Sequence, residues 1–121
     1  MFEYTINNTV YPFNFGIGFV RDVNKQIQKP IDGFPDAKED VGVAYKIAQI
    51  AGGDVLALID VLDAANKGKE PRVTKKLLEE WVEDPDTDID KIFKEVMSFF
   101  KSSNATRRVA INMEIAMNSV V

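Results

Sequence analysis

Seven carboxylates crowd the stretch from Glu79 to Asp90, with no Lys or Arg among them, and this is where residue types and spacing come nearest to chemistry. Asp84, Asp86 and Asp88 alternate, and Glu95 follows at the interval at which a calcium loop of the EF-hand type places its bidentate ligand. Two positions break the pattern. The sharp turn of such a loop requires glycine where Ile89 stands, and its apolar position holds Lys91. Carboxylates at a helix start are favoured anyway by the exposed N–H groups and the helix dipole, so a helix N-terminus accounts for the same residues.

Other candidates are thinner. Gly16-Ile17-Gly18 lacks the third glycine and the βαβ surroundings of a phosphate-cradling loop, and reads as a strand-to-helix corner. Ser102 and Ser103 have no motif that supplies a base, and read as a frayed helix end. The tightest basic pair, Arg107 and Arg108 with Lys101 nearby, has no aromatic stacking partner. The chain contains no cysteine and no histidine. Disulfides, thiolate nucleophiles and Cys-zinc sites are therefore excluded, and the usual general base and transition-metal ligand are missing. No catalytic residue, metal ligand or cofactor is assigned.

The elements that would position any site come from a single domain's worth of chain, 121 residues with 45% apolar and 28% charged residues. A net charge of −4 disfavours nucleic acid. No run approaches the ~18 apolar residues of a membrane span, and no signal core is present, so a cytosolic protein is expected.

Tyr11, Phe13 and Phe15 recur at the two-residue period of a strand. A hairpin over residues 2–15, closed by Asn7-Asn8, would pair Ile6 with Thr9, Tyr4 with Tyr11 and Phe2 with Phe13, with every aromatic on one face. Proline at 12 would then fall at a non-hydrogen-bonded pair, where its missing N–H costs nothing. From Ile17 the period becomes helical: Ile17, Phe19, Val20, Val23 and Ile27 share an arc of about 160°, leaving Arg21, Asn24, Lys25 and Gln28 outside it. A helix over 17–28 follows, then a loop over Lys29–Asp36.

Asp36 is expected to cap a helix over 37–51, whose small residues Gly42, Ala44, Ala48 and Ala51 mark it as the most buried and most closely approached. Gly52 and Gly53 stop it, and Asp54 caps the next helix, over 54–66. Short and long helices over 74–83 and 88–102 follow, the first facing Leu77, Leu78, Trp81 and Val82 inward. The second starts at a capping box spanning Thr87 to Asp90 and carries Ile92, Phe93, Val96 and Phe100. The predicted fold class is α+β, mainly α: an N-terminal β-hairpin packed on a bundle of about five helices, one globular domain over 1–103.

Residues 104–121 form an apolar segment for docking or oligomerisation. Val109, Ile111, Met113, Ile115 and Met117 alternate as in a strand, while Val109, Met113, Ala116, Met117 and Val120 would line a helix equally well. Such a segment either folds back on the body or docks on another chain.

The order and wording of four segments add a resemblance. TINNTVYPFNFGIGFVRDVNK, then GGDVLALIDVLDAA, then EPRVTKKLLEEW and DIDKIFKEVMSFFKSS, together resemble the tail assembly chaperones of long-tailed phages and prophages over Phe2 to Ser103. The shared residues are packing ones: Phe15, Gly16, Gly18 and Phe19 at the corner, and Gly52, Gly53 and Asp54 before an apolar helix. Asn7-Asn8 departs from the glycine-containing turn common in the family, and the segment after Ser103 has no counterpart.

The resemblance implies a non-enzymatic protein of the infected cell's cytoplasm that binds the tape measure protein, helps recruit major tail protein subunits, self-associates and is absent from the finished virion. Partner contacts are expected on the corner helix, at Phe19 and Arg21, and on Val109, Ile111, Met113, Ile115 and Met117. Phe13, Phe15, Gly16, Gly18, Gly52, Gly53, Trp81 and Phe93 are expected to be structural. The alternative is a small acidic cytosolic adaptor or regulatory module with a divalent-cation site at Asp84–Asp90, and a third reading is a carboxylate-dependent enzyme.

Overall fold

Two consecutive asparagines in the left-handed region, Asn7 at φ 53° and Asn8 at φ 65°, turn the chain at its N-terminus. In the computed structural model, which describes residues 2–119, they join β1 (Phe2–Ile6) to β2 (Thr9–Phe13). The register is the one the aromatic spacing predicts, with Phe2 opposite Phe13, Glu3 opposite Pro12 and Tyr4 opposite Tyr11. One face of the ribbon is thus aromatic, and a lone ribbon would be marginal in water. It is covered: Phe2 stacks on Phe99 with ring centroids 3.6 Å apart, and Tyr4 meets Trp81 at 5.1 Å.

The corner at Phe15-Gly16 leads into α1 (Ile17–Asn24), which buries Phe19 and Val23. Phe15 packs between Phe19 and Phe100, at 4.8 and 4.9 Å. The predicted helix over 17–28 is shorter than expected, ending at Asn24, and Ile17 is exposed rather than on the packed face. The reason lies in the next segment. Where the sequence suggests a loop over 29–36 and a helix from 37, the chain forms a second antiparallel hairpin, β3 (Gln28–Ile31) and β4 (Phe34–Asp40), turning at Gly33 with φ 81°. The ladder continues to its base, where Val41 N–H donates to the Ile27 carbonyl at 2.8 Å.

Helix α2 (Gly42–Ala51) starts five residues later than expected, because residues 37–40 pair in β4 instead of opening the helix. No side chain of its own caps it. Asn24 supplies the cap from α1, its Oδ1 accepting the Val43 N–H at 3.0 Å. Gly42 is pressed against α1: a Cβ there would lie 1.8 Å from the Val23 carbonyl oxygen. The close approach expected of this helix is therefore real at Gly42.

The most buried helix, however, is α3 (Val55–Asn66), which packs against α1, α2, α4 and β2. Its VLALIDVL run reaches neighbours on several sides, whereas Tyr45 on α2 is exposed. Gly53, at φ 82°, ends α2, and Asp54 caps α3 by accepting the Ala57 N–H at 3.1 Å. Helix α4 (Lys75–Glu83) is capped by Thr74, and α5 (Ile89–Ser102) by Asp88, which replaces the box expected at Thr87. A sixth helix, α6 (Arg107–Asn118), settles the strand-or-helix ambiguity of the C-terminal segment as helix through Asn118. The expectation for Val120 and Val121 lies outside the described residues. The fold is α+β and mainly α, with six helices rather than about five and two small hairpins among the described residues.

Candidate functional site

Helix α6 returns to the body and also faces away from it. Thr106 anchors its start, fully buried, its hydroxyl donating to the Phe100 carbonyl at 2.7 Å. Ala110 is fully buried, and Val109 and Met113 pack on the core beside it, against α2 and α5. Lys101 pairs with Glu114 at 2.6 Å. About a third of a turn round the helix, Ile111 and Ile115 sit one turn apart, the latter 62% exposed. Arg108 belongs to the same outward face. Met117 is exposed as well. One face of the helix is thus folded back on the body, and another is exposed.

A shallow groove crosses the body between the C-terminal end of α2 and α5, about 400 Å³ in volume, floored by Ile50, Ala51, Phe93 and Met97 and bordered by Lys94 and Lys101. It continues past Gly53, Val55 and Ile89. Phe93, expected to be structural, is half-buried and forms part of this floor.

A more polar cleft of about 550 Å³ lies between α1, α3 and the start of α4. Its acids are paired: Asp60 with Lys46 and Lys75 at 3.3 and 3.1 Å, Asp63 with Arg72 at 3.0 Å, Asp22 with Lys67 at 3.5 Å. Burial alone would raise the Asp60 carboxyl, but hydrogen bonds from Lys75 and Lys46 outweigh it and hold it below the usual range, while Asp60 in turn raises Lys75. These carboxylates are committed to ion pairs.

The acidic stretch uses its carboxylates on its own backbone. Asp84 Oδ1 accepts the Asp86 N–H at 2.9 Å and Asp88 Oδ1 accepts the Lys91 N–H at 3.1 Å. Among the described residues, no group of three acidic side chains is arranged to hold a metal ion. Nothing in this geometry favours the divalent-cation reading.

The remaining sequence candidates separate clearly. Phe19 lies in the core at 4% exposure, with no surface to offer a partner, whereas Arg21 on the same helix is exposed. Phe13, Phe15 and Trp81 pack as structural residues. At Gly18 an added Cβ meets nothing within 4 Å, so sterics do not require glycine there. Ser103 is no frayed end: its hydroxyl donates to the Phe15 carbonyl at 2.7 Å, tying α5 to the corner.

Asn66, in sequence no more than the end of the helix over 54–66, does more in the structure. Fully buried, it donates to the carbonyls of Pro12 and Pro71 at 2.9 and 3.1 Å and accepts from Val73 N–H and Arg72 at 2.7 and 3.0 Å. An asparagine followed by Lys67 and Gly68 looks like an ordinary helix end, and only the tertiary positions of Pro12 and Pro71 reveal its work.

The family model for phage tail assembly chaperone protein, TAC, matches residues 3–114 of this sequence. The chain belongs to the phage tail assembly chaperone family. No curated protein and no solved structure matches it. The match extends the likeness past Ser103 and covers the first eight residues of α6, up to 114. The family's role is assembly, and the fold exposes apolar side chains on α6, in the α2–α5 groove and at the tip of the second hairpin. Among the described residues, no helix is long and apolar enough to cross a membrane.

Proposed function

We propose that this family member binds the tape measure protein through the outward face of α6, together with Arg21 on α1, and keeps apolar helical segments of that partner covered until tail tube subunits, the major tail protein, close round them. The observation that carries this reading is the pair Ile111 and Ile115, two exposed isoleucines one turn apart on a helix otherwise pinned to the body by Ala110, Thr106 and the Lys101–Glu114 pair. A long partner with exposed amphipathic helices presents complementary stripes at the same spacing. In this reading Val109 and Met113 set the angle of the helix, Met117 extends its apolar edge, and the protein self-associates, works without catalysis in the host cytoplasm and leaves before the virion is complete.

The test is co-expression and pull-down of the tape measure protein. The double substitution Ile111→Glu/Ile115→Glu changes two exposed side chains outside the core and is expected to abolish capture while leaving the melting temperature within a few degrees of the parent. Capture undiminished by both glutamates would sink the α6 reading. Removing residues 109–121 outright is a poorer probe, because it strips Ala110 from the core.

A further inference from the structure

The β3–β4 hairpin is an arm with little support from the rest of the described residues. Every strand residue except Ile31 is exposed, and the extensive contacts of each strand are with the other. It is held by its backbone ladder, one side-chain hydrogen bond from Gln28 to Asp40 at 2.9 Å and an exposed Lys29–Glu39 pair at 3.7 Å. Two-stranded ribbons of this kind are marginal in water without a covering surface. At its tip stands Phe34, 66% exposed, between Asp32 and Asp36. An exposed phenylalanine at the end of an unsupported ribbon is a knob awaiting a hole.

The same molecule carries the hole. The α2–α5 groove has an apolar floor of Ile50, Ala51, Phe93 and Met97, and Lys94 on its border. Lys101 adds a second positive group, shared with Glu114. The tip sets a phenylalanine between two acids, and the groove sets an apolar floor beside Lys94 and Lys101, with Asp90 farther along it, so apolar surface meets apolar surface and the aspartates meet lysines at the Lys94 end. Arm and groove lie at opposite ends of α2, the arm before Gly42 and the groove at Ala51, a separation of about 15 Å along the helix. The phenylalanine, being exposed, does not occupy the groove of its own copy. Proline at 30 and 35 interrupts the donor rows of the ribbon and disfavours edge-to-edge strand addition, which leaves the tip as the docking end.

We propose that the β3–β4 arm is a self-assembly arm whose tip docks in the α2–α5 groove of a second copy, Phe34 on the apolar floor and its flanking aspartates against Lys94 and Lys101. This gives a location to the self-association within the proposed function, on which it rests, and it is separable from tape measure binding. Because the two surfaces differ, the contact either reciprocates within a pair or repeats head to tail.

Sedimentation velocity of the purified chain over a concentration series tests it without any partner. The expected result is concentration-dependent association that Phe34→Ala weakens by about thirtyfold, as for a buried aromatic anchor. Lys94→Glu and the pair Asp32→Lys/Asp36→Lys should each weaken it, and combining them should recover much of the loss. Phe34 lies outside the core, so its variant folds, and an unchanged melting curve verifies this. A chain that stays monomeric throughout, association indifferent to Phe34→Ala, or charge exchange without recovery overturns the proposal. So does a Phe34→Ala variant that associates normally but no longer captures tape measure protein, which would assign the arm to that partner. Phe34-dependent association without tape measure capture would instead leave the arm standing and remove the proposed function.

Discussion

Two residues that touch no partner hold the architecture, and each yields a measurable expectation. At Gly42 an added Cβ would meet the backbone of Val23, which cannot rotate away. Gly42→Ala is expected to cost about 3 kcal/mol or more, read as a lowered urea midpoint at unchanged slope. Asn66 satisfies four hydrogen bonds at once, two given and two received. Asn66→Ala strands the buried Val73 N–H and two carbonyls, for an expected loss of about 3 kcal/mol. Tyr4 supplies a pH signature. Burial first, then the negative charge and hydrogen bond of Glu95, whose carboxylate accepts from the hydroxyl at 3.3 Å, push its pKa well above the usual value. Below about pH 10 both folded and unfolded states keep this proton; above it the unfolded tyrosine ionises while the folded one resists, so stability falls as pH rises. In Tyr4→Phe the stability loss between roughly pH 9 and 11 should be shallower than in the parent. Equal slopes would show that Tyr4 does not set the alkaline limit.

At the scale of elements, the arm buries almost nothing, and replacing residues 29–39 by a short Gly-Ser link is expected to shift the melting temperature by less than about 5 °C, the equivalent of roughly 1 kcal/mol in a domain of this size. A large drop would mean that the arm supports the body after all. The same lack of burial explains why the arm was illegible in the sequence. A strand announces itself by apolar alternation, and QKPIDGFPDAKED has none, since both of its faces meet water. Ala37, Lys38, Glu39 and Asp40 moreover look like the first turn of a helix. The first hairpin has the opposite character: its buried face demands alternating aromatics, and its turn demands residues that tolerate positive φ, so register and turn were both readable. Helix starts at Asp54 and Thr74 could be read because their caps are local. The cap of α2 could not, because Asn24 lies in another helix. For the candidate site, the apolar residues of α6 stood out as a segment, but whether they faced inward or outward depended on where α2 and α5 lie.

For the molecule as a whole, stability should be graded from centre to periphery. Amide exchange is expected to be slowest in α3, which is enclosed by four elements, and fastest in the arm and the outer turns of α6. Protection in the arm equal to that in α3, measured at a concentration where the chain is monomeric, would contradict the picture of an unsupported ribbon. The ties that close the fold join distant parts of the chain: Phe2 to Phe99, Tyr4 to Glu95, Phe15 to Ser103. These have a consequence during synthesis. The aromatic hairpin leaves the ribosome before α5, whose Phe99 stacks on it and is made some 86 residues later, a wait of roughly 4 to 17 seconds at about 5–20 residues per second of synthesis. Until α5 follows, the nascent chain carries an aromatic face that is not yet fully covered, and a member of a family that serves the assembly of other proteins is itself, for those seconds, a client.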